Sequence, residues 1–195
     1  MNYKMLWLRF ILAYLICSLL AGCVSTKYVE HKQYLLDVPA VQTGKKAQRS
    51  YTIFVNRVEA IAPFDQLDFL YRVKSGYYLS DYYHGFLVPP SEQLDEIVSA
   101  YFRTHGIELT ASQNRLNIKL TEFYADYRDR NNPKAVITMR FILSKLIDNK
   151  VVILVDKTLR SAITLKAKNT ENLLYGWNKG IKDIMERLVQ VLNRT

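Results

Sequence analysis

Cysteine is nearly absent from this chain of 195 residues, which contains only Cys17 and Cys23. Both lie close to the N-terminus, so no disulfide can cross-link the rest of the chain and no cysteine pair can hold zinc there. The chain has only three histidines, and they fall in three different kinds of segment. These absences argue against a disulfide-stabilised scaffold and against a zinc site.

Catalytic motifs are absent as well. The sequence has no G-x-S-x-G, no glycine-rich phosphate-binding loop and no H-E-x-x-H. Asp126 and Asp129 share a turn with Arg128 and Arg130, without the glycine and the terminal glutamate of a calcium-binding loop. We interpret this turn as a solvated hairpin tip. The sequence therefore predicts a protein that is not an enzyme and that binds no metal and no diffusible cofactor.

No apolar run is long enough to cross a membrane as a helix. The uncharged segment Phe10–Leu20 falls well short of the about 20 residues that a span requires. Extending it through Met5–Leu8 would place Arg9 inside the bilayer, which is energetically costly. A basic start with Lys4 and Arg9, a short apolar core and small residues before a cut site are typical of a secretory signal peptide. We therefore predict a signal peptide over residues 1–22.

A cysteine at the cut site identifies the leader as that of a bacterial lipoprotein. The lipobox is Leu20–Cys23, and we predict cleavage between Gly22 and Cys23. Cys23 is then the lipidation site and carries a covalent diacylglycerol and an acyl chain, which anchor a protein stably without a transmembrane helix. Cys17 leaves with the leader, so the mature chain keeps no free thiol.

The anchor and the residue after it predict the compartment. Val24 stands where an aspartate retains lipoproteins in the inner membrane of enteric bacteria. We therefore expect the periplasmic face of the outer membrane of a Gram-negative bacterium, where no nucleic acid is met. The leader holds two of the 27 basic residues and none of the 18 acidic ones, which leaves the mature chain a net charge of +7. This charge suits anionic lipid headgroups or an acidic partner, and equally an ordinary soluble surface, because the basic residues are spread out.

The length predicts one folded domain behind the leader. Residues 23–50 are expected to form the lipidated N-terminus and a tether, in which the apolar patch Tyr34–Asp37 can add an edge strand. Residues 51–195 are expected to form the domain itself.

The domain begins with strands and a helix. Its β-branched and aromatic residues predict three strands, at Tyr51–Val58, Asp68–Val73 and Tyr77–Val88. A helix follows, with Ser91 as its N-cap and Gly106 at its end. Its apolar residues recur at helical period, namely Leu94, Ile97, Val98, Tyr101 and Phe102.

The second half is a strand meander followed by a long helix. Three more strands are predicted, at Leu116–Thr121, Ala135–Leu143 and Val151–Leu165, with a tight turn at Asp148–Lys150. The helix is predicted from Thr170, its N-cap, to near Asn193, and Gly176 and Gly180 beside Trp177 permit close packing. The order of elements predicts an α/β (α+β) fold: one mixed sheet with a C-terminal antiparallel meander, packed by two amphipathic helices, and a right-handed parallel crossover through the first helix.

Aromatic residues crowd into one short segment before the first helix. The candidate partner-binding residues there are Tyr77, Tyr78, Tyr82, Tyr83, His84 and Phe86. Tyrosine combines a large apolar body with a polar tip and is enriched at interfaces. The segment is either a docking surface for a protein or lipid-carrying partner, or a half-buried edge strand whose tyrosines pack along the sheet.

Several segments in combination resemble a known family. They are the lipobox, Tyr34–Asp37, Ile53–Val58, Tyr71–Arg72, Tyr82–Pro90 and the last helix with Trp177. Across essentially the whole mature chain, this combination resembles the ABC-type transport auxiliary lipoprotein family, to which paraquat-inducible protein C belongs. Many members carry a tryptophan ahead of the proline that opens the first helix, whereas this chain has Phe86 and Leu87 in that stretch.

The resemblance implies a non-catalytic envelope lipoprotein that accompanies an ABC permease, its ATPase and an MCE-domain (mammalian cell entry) substrate-binding protein. Such systems move phospholipid or other hydrophobic compounds between the two membranes, and the lipoprotein is their outer-membrane docking end. Whether the domain itself binds phospholipid, and whether it forms a homo-oligomer, stays open. Two alternatives also stay open: a lipoprotein that activates or scaffolds a cell-wall or outer-membrane assembly machine, and an envelope hydrolase with dispersed catalytic residues.

Overall fold

The computed structural model describes residues 3, 7, 29–39 and 51–194. The predicted cleavage and lipidation sites, Gly22 and Cys23, lie outside the described residues. The chain divides into two compact units, Met1–Glu30 and His31–Thr195, and the second contains a mixed sheet and two helices. A search of the described residues finds no helix with the length and apolar character needed to cross a bilayer.

The second unit has the mixed architecture that the sequence predicts. Its strands are β1 (Lys32–Tyr34), β2 (Tyr51–Val55), β3 (Glu59–Ala60), β4 (Asp68–Lys74), β5 (Tyr77–Phe86), β6 (Ile107–Leu109), β7 (Asn114–Asp126), β8 (Lys134–Ile147) and β9 (Lys150–Thr164). Its helices are α1 (Pro90–Thr104) and α2 (Thr170–Leu192). The last three strands form the predicted antiparallel meander.

Strand β7 is a central strand of the sheet and pairs with other strands along both of its edges. Strand β8 lies antiparallel beside its whole length. The opposite edge is therefore shared by β2, β3 and β4, which follow one another parallel to β7 at Arg115, Lys119 and Ala125. Beyond β4 come β5 and then β1. The chain passes from β5 through α1 to β6 and β7. Strand β5 folds back antiparallel on β4, which is itself parallel to β7. The strands before and after α1 are therefore antiparallel, and the predicted parallel crossover through the first helix is wrong.

The hairpin between β8 and β9 closes through two residues in the left-handed conformation. Asp148 has a φ of 48° and Asn149 a φ of 59°, as in a type I′ turn, whose twist matches that of two antiparallel strands. Aspartate and asparagine enter this conformation more readily than other side chains. The predicted turn is therefore confirmed, and it sets the register in which Ile147 is opposite Lys150.

Helix α1 begins two residues earlier than predicted. Pro89 is its N-cap and Pro90 its first residue, a position that suits proline because it needs no N–H. Ser91 is therefore not the cap, which corrects the prediction. The N–H and the hydroxyl of Ser91 both donate to the carboxylate of Asp65, each at 3.0 Å. A side chain from the loop before β4 thus places negative charge at the helix N-terminus. At the other end Gly106 has the expected left-handed backbone, with a φ of 74°.

Helix α2 is capped by Asn169, one residue before the predicted Thr170. The side-chain oxygen of Asn169 accepts the N–H of Asn172 at 2.9 Å. Asparagine is a better N-cap than threonine, and the extended backbone of Asn169 leaves Thr170 inside the first turn.

Trp177 of α2 is at the centre of an aromatic cluster between this helix and the sheet. Its ring lies 4.6 Å from that of Phe123, 5.1 Å from Phe69 and 5.5 Å from Phe86. All four side chains are buried. The indole Nε1 has no hydrogen-bond partner among the described residues, so packing rather than hydrogen bonding holds Trp177 in place.

The segment before β2 also belongs to the folded unit. Strand β1 pairs in parallel with β5. Leu36 is buried, and its N–H donates to Gln93 of α1 at 2.7 Å. The N–H of Asp37 donates to Asn178 of α2 at 3.2 Å. The folded unit thus begins well ahead of the expected boundary at β2, and only residues 24–31 separate Cys23 from β1.

Two glycines let α2 approach the sheet closely. A Cβ atom at Gly176 would stand 2.7 Å from the Cβ of Ala135 and 2.7 Å from Cδ2 of Leu165, far inside the normal separation of carbon atoms. A Cβ at Gly180 would meet Cγ2 of Ile137 at 3.1 Å. The close packing predicted at these two glycines is therefore confirmed.

We expect Gly176→Ala to destabilise the domain by about 1–3 kcal/mol through overpacking, although alanine is the better helix former by about 1 kcal/mol. Urea unfolding followed by circular dichroism measures the change. Gly180→Ala is the matched control, because its clash is milder and its loss of stability should be smaller. A Gly176→Ala variant as stable as the original chain would contradict the close contact.

Candidate functional site

Strand β5 has an open edge along most of its length. One edge pairs with β4. The other pairs with β1 only at His84–Phe86, so no strand among the described residues covers Tyr77–Tyr83 on that side. Unpaired backbone N–H and C=O groups at a sheet edge are a template for a strand from another chain.

A wide bulge interrupts β5 in the same stretch. Leu70 of β4 is opposite Ser80, and Asp68 is opposite Gly85. One residue of β4 therefore faces four residues of β5, numbers 81–84, which we call the tyrosine bulge. Bulges bend a strand and re-aim its side chains, and they are common beside functional sites.

Two tyrosines project from the tyrosine bulge into solvent. Tyr82 is 76% exposed and Tyr83 is 50% exposed. Their rings meet edge to face, with centroids 5.5 Å apart. Edge-to-face packing is a favourable arrangement of two aromatic rings, so Tyr82 and Tyr83 form one joint aromatic surface.

The carboxylate of Asp81 holds the bulge in shape. It accepts the N–H of Tyr83 at 2.8 Å and the N–H of His84 at 3.2 Å. It also accepts the hydroxyl of Tyr71 and contacts Nδ1 of the His84 ring at 2.9 Å. Its side chain is only 10% exposed. Four hydrogen bonds to one largely buried carboxylate thus determine the path of the backbone under Tyr82 and Tyr83.

The protonation of this cluster follows from its surroundings. Burial raises the pKa of Asp81, but the hydrogen bonds from Tyr71, Tyr83 and His84 outweigh it and bring the pKa below its ordinary value. Burial and the hydrogen bond to Asp81 raise the pKa of the Tyr71 hydroxyl. Asp81 is therefore an ionised acceptor at neutral pH, and Tyr71 and His84 Nδ1 are its donors.

The structure places the predicted partner-binding residues at different depths. Tyr77, Tyr82 and Tyr83 are exposed, as a docking surface requires. Tyr78 is half-buried, and its ring packs edge to face with that of Tyr124, 5.4 Å away. His84 is also half-buried, because its ring is turned toward Asp81.

Phe86 does not belong to the exposed surface, which corrects the prediction. It is 1% exposed and packs in the Trp177 cluster. After the tyrosine bulge, β5 re-enters the sheet between β4 and β1, and Phe86 faces the core there. The segment is thus a docking candidate at one end and a core strand at the other.

Sequence reasoning missed Asp81, the residue that organises the site. A signal was present, because Asp81 is the one acidic residue in an otherwise aromatic strand. Aspartate side chains bond the backbone N–H two residues further on and so form tight turns. What the sequence does not show is Tyr71, which reaches Asp81 from the neighbouring strand.

The turn after β7 also differs from expectation. Asp126 was predicted to be solvated, but it is only 8% exposed. Arg128 donates to its carboxylate from Nη2 at 2.6 Å and from Nε at 2.9 Å. These hydrogen bonds from Arg128 outweigh burial and lower the pKa of Asp126. The pair closes the end of the sheet and is structural.

A groove of about 840 Å³ lies between residues 37–39 and the outer face of α2. Its apolar part includes Leu174 and Tyr175. Its carboxylates outnumber its lysines: Asp37, Glu171, Asp183 and Glu186 against Lys179 and Lys182. This balance repels an anionic headgroup. Within the described part of the chain, no three metal-ligating side chains are grouped so as to hold an ion.

Comparison with known proteins shows the fold. No family model and no curated protein sequence matches the chain. The crystal structure of a Xanthomonas campestris protein of the family DUF330 is similar with a TM-score of 0.72 and 19% identity, over 81% of this chain and 92% of that one. The crystal structure of an uncharacterized protein is similar with a TM-score of 0.66 and 13% identity, over 84% of this chain and 99% of that one. The structure of a hypothetical protein from Chlamydia trachomatis has a TM-score of 0.53 and 11% identity, over 74% of this chain and 96% of that one.

We expect Asp81→Asn to destabilise the domain by about 1–3 kcal/mol at pH 7, because it weakens four hydrogen bonds of a buried acceptor. The folded-state pKa of Asp81 is lowered, so its contribution is present above the unfolded-state pKa of about 4 and is lost as the pH falls through the folded-state value. As the pH falls from about 5 to about 3, a range that brackets the unfolded-state pKa, the variant should therefore lose less stability than the original chain. Urea unfolding across this range measures the slope.

Asp148→Asn is the control, because Asp148 is an exposed carboxylate in a turn that asparagine also tolerates. It should leave both the stability and its pH dependence nearly unchanged. An Asp81→Asn variant with the same acid sensitivity as the original chain would remove Asp81 from its organising role.

Proposed function

We propose that the protein is a non-catalytic lipoprotein, anchored to the outer membrane and facing the periplasm, that docks the MCE-domain protein of an ABC-type transport system for phospholipid or another hydrophobic compound. The observation that carries the proposal is the tyrosine bulge on the open edge of β5. The lipobox supports the anchor, and the fold is shared with bacterial proteins.

The open edge and the tyrosines support docking in complementary ways. An extended segment of a partner can pair with the backbone of β5 ahead of the tyrosine bulge, between Tyr77 and Ser80, and thereby gain main-chain hydrogen bonds. Tyr82 and Tyr83 then supply the side-chain contact. Tyrosine buries a large area at a small cost in conformational entropy, which makes it a frequent hot spot in interfaces.

The short connection to the anchor supports a role close to the membrane. Residues 24–31 span at most about 30 Å when fully extended. An activator of a cell-wall synthase must reach through peptidoglycan, and a long tether is the usual means. The early start of the fold at β1 leaves a shorter tether than the sequence predicts, which favours transport over this alternative.

The polar contacts around the tyrosine bulge support a binding role rather than hydrolysis. Asp81 and His84 form a pair in which an imidazole is oriented by a carboxylate. The nearby hydroxyl of Ser80 donates to Asp68 at 2.6 Å and not to His84. His84 thus has no serine hydroxyl hydrogen-bonded to it among the described residues, and the hydrogen bonds of Asp81 and His84 stabilise the turn of the backbone.

We expect the double variant Tyr82→Ser, Tyr83→Ser to bind the purified MCE-domain protein at least about 30-fold more weakly, because hot-spot tyrosines carry most of an interface's binding energy. Tyr175→Ser, which removes an exposed tyrosine from α2, is the matched control and should bind normally. Surface plasmon resonance measures both affinities.

Unchanged affinity of the double variant would remove the tyrosine bulge from the interface. Recovery of a cell-wall synthase in place of transport components would favour the activator alternative. Envelope-hydrolase activity of the mature protein, lost on His84→Gln, would overturn the non-catalytic proposal.

We expect mass spectrometry of the mature N-terminus to show Cys23 as the first residue, carrying the mass of a diacylglycerol and one acyl chain. Cys23→Ser should abolish this modification and leave the leader attached, because the thiol is the attachment point. An unmodified Cys23 in the original chain would contradict the anchor.

A further inference from the structure

The end of the β8–β9 hairpin is apolar and exposed. Strand β9 contains the uninterrupted apolar run Val151–Val155, a pattern typical of strands that are covered on both faces. Here Val151 is 71% exposed and Ile153 is 61% exposed, and Leu146 on β8 is 45% exposed. Isolated apolar residues on a surface are ordinary, but a contiguous group marks a contact site.

The strand register shows that these residues share one face of the sheet. Leu146 is opposite Val151, and Ser144 is opposite Ile153. Ser144 is also opposite Arg115, which is in turn opposite Phe54 of β2. Residues directly opposite one another point to the same side of a sheet.

The core lies on the other side, where the neighbouring pairs Leu116 with Leu143 and Leu143 with Val155 are buried. The outward-facing group therefore lies on the face away from the core. We call it the hairpin patch, and its members are Phe54, Leu146, Val151 and Ile153.

Positive charge adjoins the hairpin patch on the same face. Arg115 lies over the ring of Phe54 at 5.6 Å, and Lys119 is the next but one outward residue of β7. Both are exposed. Arg115 forms no ion pair among the described residues, whereas Lys119 has Glu59 of β3 opposite it in the strand register. Further along this face, Arg140 and Arg160 are neutralised by Asp156 and Glu122. Arg115 is therefore the cation without an ion-pair partner that lies beside the apolar end.

We propose that the hairpin patch rests on the anionic phospholipid surface of the bilayer that holds the lipidated Cys23. Apolar side chains beside basic ones are the composition of surfaces that bind at the membrane interface, where the apolar groups enter the headgroup region and the cations meet phosphates. The inference rests on the lipid anchor of the proposed function. It adds a second, non-covalent contact that orients the domain.

Two features limit the contact to the surface of the bilayer. The turn at Asp148–Asn149 is polar. Strand β9 pairs only with β8 among the described residues, so its outer backbone groups need water or headgroups as partners and cannot enter the hydrocarbon. The patch therefore rests in the headgroup region instead of spanning the membrane.

The short connection makes even a weak lipid contact effective. An anchor within about 30 Å of the fold keeps the patch at a high effective concentration next to the bilayer. The tyrosine bulge lies on β5, across β7 from the hairpin. Resting the patch on lipid thus leaves Tyr82 and Tyr83 accessible to a partner.

A single fluorophore tests the contact. The mature protein is expected to have no free thiol, so Val151→Cys provides one labelling site for an environment-sensitive dye. The acylated protein is reconstituted into vesicles of phosphatidylethanolamine and phosphatidylglycerol, and flotation confirms that it is membrane-bound. We expect spin labels on the lipid headgroups to quench the dye strongly at position 151 and weakly on Arg130→Cys, in the turn at the opposite end of β8.

Charge variants test the role of the cations. The double variant Arg115→Gln, Lys119→Gln should weaken the contact by about tenfold, seen as a higher phosphatidylglycerol content for half-maximal quenching. Lys179→Gln, Lys182→Gln removes the same charge from the outer face of α2 and should have little effect.

Equal quenching at positions 151 and 130 overturns the inference. So does a dye at position 151 that is shielded from water but not quenched by lipid, as contact with a second copy or another protein would produce. A chain that does not float with vesicles removes the anchor as well. A chain that floats with an unquenched dye removes only the lipid contact and leaves the proposed function standing.

Discussion

The pairing of β7 along both of its edges is the constraint on which the architecture depends. On one side β8 matches it over its whole length, and β9 follows β8. On the other side β2, β3 and β4 divide its edge among them. Strand β4 pairs with the C-terminal end of β7, and β5 pairs with the other edge of β4. The outer edge of β5 is therefore unpaired along most of its length. The location of the docking candidate thus follows from the division of one edge of β7 among β2, β3 and β4.

Helix α2 completes the domain by packing against this sheet, and its glycines determine how closely it does so. At Gly176 the helix backbone reaches the side chains of β8 without an intervening methyl group. This approach lets Trp177 enter the cluster with Phe69, Phe86 and Phe123. The same cluster holds the end of β5, so the core fixes one end of the strand and leaves the tyrosine bulge free to project.

Local signals were readable from the sequence, whereas contacts between distant segments were not. Helical periodicity located both helices, and Asp148–Asn149 located a turn because the conformation depends on those two residues. The cap at Ser91 was wrong because the true partner, Asp65, comes from a loop far away in sequence. Phe86 was misplaced because alternation does not reveal a four-residue bulge. That bulge depends on Tyr71, which lies on another strand.

The hairpin patch and the tyrosine bulge differ in the kind of contact that they offer, which is why we propose different binding partners for them. The hairpin patch combines apolar side chains with adjoining basic ones, which suits a fluid, anionic surface without fixed geometry. The tyrosine bulge combines two packed, exposed rings with an unpaired strand edge, which suits a partner of defined shape. Their separation across β7 allows both contacts at once. Under the proposed function, lipid contact on one side holds the candidate docking edge of the anchored domain in a fixed direction. The proposed role, docking the end of a transport assembly at the membrane, is consistent with this arrangement.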